Sequence, residues 1–159
     1  MASVQYATFE VADQLFGVTV DAVQEVLMFN EYTTVPLAPK AVGGLFNLRG
    51  QVIAAVDLRV RLGLPRKPLD GAAMNVIIRD GDEPVSLLVD RIGEVVERDD
   101  AESEPPPDTL TGPSRELVVR TFTLPDRLLM ALDPIRAANP SAGDRTDSDD
   151  RPRGDNRHA

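Results

Sequence analysis

Apolar residues come in short runs along this chain, some alternating with polar ones, and each run is cut within about ten positions by Gly, Pro or Asp. Val4 to Val11 alternates, Ala12-Asp13-Gln14 makes a turn, and Leu15 to Val20 reads as the return strand of an opening hairpin. Asp21, with Gln24 three residues on, has the form of a capping box. With the stripe Ala22, Val23, Val26 and Leu27 it predicts a short helix carrying Glu25. Tyr32 to Val35 is a short strand stopped by Pro36 and Pro39, and a bend from Lys40 to Gly44 leads into Leu45-Phe46-Asn47-Leu48-Arg49-Gly50 and the apolar strand after it. Asp57 caps a helical turn through Arg59 to Leu62 that Gly63 and Pro65 close.

The second half repeats this grammar. Met74 to Arg79 and Val85 to Asp90 flank the turn Asp80-Gly81-Asp82-Glu83, the clearest hairpin in the chain, and Ile92 to Glu97 continues as a strand. Arg98 to Pro107 is acidic, ends in three prolines and reads as a loop. Leu117 to Phe122 and Arg127 to Leu132 are the last strands, and Asp133-Pro134 opens a closing helical turn. About ten short strands in two successive groups predict an all-β fold, with a subdomain boundary near Arg66 to Gly71. From Asn139 onward apolar residues are lost to Asp, Arg, Gly, Ser and Pro, so residues 139–159 are expected to form a disordered polar tail after a domain at 1–138.

Composition narrows the chemistry. Aromatics make up 4% and Trp is absent, so the core must be Val, Leu, Ile and Ala. Without cysteine there is no thiolate nucleophile or thiolate metal site, and the one histidine, His158, lies beside the C-terminus, so imidazole catalysis and histidine metal sites are unsupported. No catalytic, metal or cofactor site is expected. A net charge of −9 with scattered arginines argues against nucleic acid. No stretch has the apolar length of a membrane span, and the opening residues lack a signal peptide's pattern, so the reading is a soluble, cytoplasmic protein without direct membrane insertion.

Arg49 is the residue that needs an explanation, because a cation among apolar neighbours must be paired or placed at a wet rim. It either pins the bend within the molecule or contacts a partner. Asp57 and Asp90 each follow an apolar strand and precede a turn, so capping is the first reading for both. A carboxylate-dependent hydrolase built on them would need the two acids side by side in a cleft.

Three stretches resemble the CheW family of bacterial chemotaxis coupling proteins and the related regulatory domain of the kinase CheA. They are Val23-Gln24-Glu25-Val26; Asn47-Leu48-Arg49-Gly50 followed by Val56-Asp57-Leu58-Arg59 and Leu62-Gly63-Leu64; and Leu87-Leu88-Val89-Asp90-Arg91-Ile92-Gly93-Glu94-Val95-Val96. The resemblance runs from about Tyr6 to Ala137. It implies two intertwined five-stranded SH3-like β-barrel subdomains, and a non-enzymatic adaptor joining a chemoreceptor's cytoplasmic tip to the regulatory domain of a CheA-type histidine kinase at membrane-associated arrays. Carried over by residue, it makes Glu25 and Arg49 an ion pair near the receptor-facing groove. It puts Val23, Asn47, Met74 and Val95 on or near that groove and Gly44 near the kinase contact. An adaptor of the same fold serving surface motility or development is the alternative. The chain departs from the usual pattern at Ala54 and Ser86, in the segment Ser114 to Thr123, and in the apolar run Leu27-Met28-Phe29, which either folds into the core or marks a partner surface.

Overall fold

The structure is a computed structural model that describes residues 3–28, 32–65, 74–81 and 83–139. Phe29, the connection Arg66 to Gly71 and the tail from Pro140 lie outside the described residues.

Ten strands and three short helices follow one another as β1 (Ser3–Val11), β2 (Gln14–Thr19), β3 (Val23–Met28), β4 (Val42–Leu48), β5 (Gln51–Asp57), α1 (Leu58–Arg61), β6 (Met74–Asp80), β7 (Glu83–Val89), β8 (Arg91–Asp99), α2 (Pro113–Leu117), β9 (Val118–Thr123), β10 (Leu128–Leu132) and α3 (Pro134–Ala138). They form two five-stranded sheets, in the orders β8-β1-β2-β10-β9 and β3-β6-β7-β5-β4. The fold is therefore all-β with short helices, as the turn spacing predicts.

The two sheets share one wiring plan. In each, a hairpin (β1-β2 or β6-β7) lies parallel, through its second strand, to the last strand of another hairpin (β9-β10 or β4-β5). The strand that follows each first hairpin crosses over: β3 leaves β2 and pairs with β6, while β8 leaves β7 and pairs with β1. The second sheet, β3 to β7, is thus one contiguous stretch set between β2 and β8 of the first. Each sheet also curls until its edges meet. Thr33, beyond β3, bridges Leu45 of β4, and Glu104, beyond β8, bridges Thr121 of β9.

The core has three parts. Phe9, Phe16 and Val18 of one sheet pack with Val56, Val76, Ile78 and Leu87 of the other in a shared cluster that also takes in Leu58, Leu117 and Ala137 from the helices. Tyr6, Leu15, Phe122 and Leu129 fill the first sheet's own cluster, and Phe46, Ile53, Ile77 and Leu88 the second's. Matching caps close the two halves: Asp57 accepts from Arg59 N and Asp133 from Ile135 N and Arg136 N, and their own N–H groups reach Ala41 O and Leu117 O.

Three local expectations are corrected. The helix predicted at Asp21 is a three-residue 3-10 turn, Val20–Ala22, running straight into β3. So short a helix makes few internal hydrogen bonds, whereas β-branched Val23 and Val26 gain a ladder with β6. Tyr32 to Val35 contributes a single bridge and no strand. In the acidic loop, Asp99 forms a capping box with Glu102, and the strand expected from Leu117 starts one residue later, after α2.

Candidate functional site

The candidate site lies where the edges of the second sheet meet. Glu25 sits on β3, one edge, and Arg49 at the end of β4, the other. The guanidinium closes on the carboxylate as a two-pronged fork, Nη1 to Oε2 at 2.7 Å and Nη2 to Oε1 at 2.8 Å. Such planar pairing fixes orientation as well as distance. The hydrogen bonds from Arg49 hold the Glu25 carboxyl below its ordinary value, and the same bonds push the Arg49 guanidinium up. The Arg49 side chain nevertheless remains 68% exposed, which leaves donors for a partner.

Two backbone irregularities aim these side chains. A bulge in the pairing of β3 with β6, between Val23 and Glu25, sets Val23 opposite Ile78 and Glu25 opposite Ile77. Val23 therefore packs on the shared core, while Glu25 stands over the second sheet's own cluster, where Ile77 belongs. Arg49 and Gly50 form a two-residue loop between the paired Leu48 and Gln51, with φ of +53° and +85°. Positive φ at both positions is what a type I′ hairpin requires. Glycine takes it without strain, whereas for arginine the left-handed region costs roughly 1 kcal/mol or more. Asn47 Oδ1 accepts from Gly50 N at 2.9 Å across this loop.

Of the seven residues expected at the site, Glu25, Arg49 and Asn47 come together as described. Gly44 lies on the same β4, buried and next to the bulge that follows Val42. A Cβ there would stand 2.8 Å from the Tyr32 Cβ and 3.1 Å from Thr33 O, so its bareness admits the segment that crosses β4. Val23 and Met74 are half-buried against the shared core. Val95 belongs to β8 of the other sheet, opposite Ala7, and is 59% exposed.

Sequence reasoning did not single out Val52. Val52, paired with Asn47, is 63% exposed, and Met28, at the end of β3, is 66% exposed. Leu27 packs against the second sheet's cluster and Met28 is exposed. The other missed feature is Arg59, which reaches Asp90 at 2.6 Å while Asp90 accepts from Ala12 N and Asp57 from Arg59 N. The two acids weighed for hydrolysis do converge, but on this arginine and on backbone N–H groups that their oxygens hold in place.

The model of the CheW-like domain family matches residues 5–139. The chain belongs to the CheW-like domain family. Members of this family are scaffolds of chemotaxis signalling and not enzymes. Curated CheW-like relatives include a chemotaxis protein CheW of Treponema pallidum, 27% identical over 81% of this chain and 78% of its own length, and one of Rhizobium meliloti, 32% identical over 79% and 81%. Among solved structures, the scaffolding protein TtCheW of Thermoanaerobacter tengcongensis superposes with a TM-score of 0.74 at 26% identity, over 83% of this chain and 90% of that one. No helix among the described residues is long and apolar enough to cross a membrane.

Proposed function

We propose that this CheW-like protein couples the cytoplasmic tip of a chemoreceptor to the regulatory domain of a CheA-type histidine kinase, working in the cytoplasm at receptor arrays. The observation that carries the reading is the exposed Glu25–Arg49 fork on the sheet seam, with Val52 open on the strand paired with β4. An oriented cation beside apolar side chains suits the docking of a helical hairpin, whose apolar stripe supplies contact area and whose polar groups fix register. Because Glu25 already holds the guanidinium, less side-chain freedom is lost on binding.

The residues divide the work. Arg49 and Glu25 meet the receptor, and Asn47 and Val95 border the contact. Val23 and Met74 set the floor beneath it from the core side. Gly44 serves the kinase contact indirectly, by letting Tyr32 and Thr33 lie flat over β4. No step is catalytic: the protein transmits receptor state by holding two partners in fixed relation.

The test is kinase activity in a reconstituted receptor–kinase mixture. Arg49→Ala is expected to abolish receptor control and to weaken binding by roughly 2 kcal/mol, about 30-fold, as loss of a central arginine typically does. Thermal unfolding should move little, since exposed substitutions cost about 0.5 kcal/mol or less. Normal receptor control by the folded variant sinks the proposal.

A further inference from the structure

We infer that Asn47 is a positioning residue for Arg49: its side-chain oxygen, by holding Gly50 N–H, keeps the hairpin loop in the left-handed form from which the guanidinium reaches Glu25. The inference rests on the proposed role of the fork and names what holds it in place. Asn47 is exposed and paired with Val52 in register, and its Oδ1 takes the Gly50 N–H at 2.9 Å. This Asx-type bond spans Arg49, so the residue carrying the cation is clamped from both sides. The two-residue loop and Gly50 favour the left-handed turn, but arginine itself has no preference for the φ of +53° it must adopt there.

The opposite sheet offers an internal comparison. The β1-β2 hairpin also turns through two non-glycine residues at positive φ, Ala12 at +52° and Asp13 at +66°, between the paired Val11 and Gln14. There too a side-chain oxygen from outside the loop, Asp90 Oδ2, takes a loop N–H, that of Ala12, at 2.8 Å. In both hairpins a side-chain oxygen takes the backbone N–H of a left-handed loop residue, Gly50 in one and Ala12 in the other. Without the acceptor, the loop relaxes toward turn types that carry Arg49 away from Glu25.

The Glu25 carboxyl reports on this directly, with no partner present. Its titration midpoint, followed by NMR, is compared between protein with Arg49 and protein carrying Arg49→Ala, in the wild-type, Asn47→Ala and Asn47→Asp backgrounds. The difference within each background isolates the effect of Arg49 and removes the direct charge of the new aspartate. The Arg49-dependent depression of Glu25 should fall by half or more with Asn47→Ala and survive with Asn47→Asp, which keeps the acceptor. An unchanged depression with Asn47→Ala overturns the inference, and so does equal loss in both backgrounds. Receptor binding by Asn47→Ala is measured beside it, with an expected weakening of several-fold. If Arg49→Ala signals normally while the coupling still depends on Asn47, the functional reading fails and the positioning role stands.

Discussion

Arg49 combines three properties seldom found together: positive φ, a two-pronged carboxylate partner and a largely exposed side chain. Strained backbone at an exposed charged residue is a mark of a site held ready for something outside the molecule. Exposure also limits what the pair adds to stability, since surface ion pairs are screened and often contribute little. The sign of its pH dependence follows from Glu25. The carboxyl is depressed in the folded protein, so the contribution of the fork is fully present above the ordinary carboxylate range and is lost as pH falls through the lowered midpoint. NMR titration should therefore show Glu25 ionising below a typical glutamate, and Arg49→Ala should return it upward. A Glu25 midpoint at or above the ordinary value in the wild type contradicts the fork.

At the level of elements, Gly44 shows how one strand can serve a neighbouring segment by what it lacks. Gly44→Ala places a methyl group 2.8 Å from the Tyr32 Cβ and should cost about 1–3 kcal/mol in urea unfolding, as overpacking does. Loss of the Thr33–Leu45 bridge should appear as faster amide exchange at both residues; unchanged stability and exchange would mean the crossing segment is not held there. The same position in the other sheet tells a different story. Arg120 follows the bulge in β9 as Gly44 follows that in β4, yet it carries a long side chain that pairs with Asp100. What the sequence made legible follows from locality. The caps at Asp57 and Asp133 and the hairpin from Met74 to Asp90 were readable because their signals lie within a few residues of what they shape. β3 was misread because Asp21 and Gln24 mimic a capping box, while the partner that decides for strand, β6, is some fifty residues away. Pairing of Glu25 with Arg49 came from family resemblance, and that of Arg59 with Asp90 left no local trace at a separation of 31 residues.

The whole molecule is bound by two crossovers and a shared core. Since β3 to β7 lie between β2 and β8 in the chain, the first sheet is assembled from both ends around the second, and Phe9, Phe16, Val56 and Ile78 contact across the division. Unfolding should therefore be a single transition, with calorimetric and van't Hoff enthalpies equal within error. Two resolved transitions would show that the sheets melt independently.

The strand order also has a consequence for synthesis. One sheet, β3 to β7, is contiguous in the chain and complete once Val89 has been made, while β1 and β2 must wait for β8, β9 and β10 to finish theirs. Domains begin to fold as they emerge from the ribosome. Once Val89 has emerged, the chain can hold one finished sheet and one bare hairpin whose Tyr6 and Leu15 still lack Phe122 and Leu129. For the time it takes to translate the remaining strands, that hairpin is the part of the nascent protein most in need of protection from its neighbours.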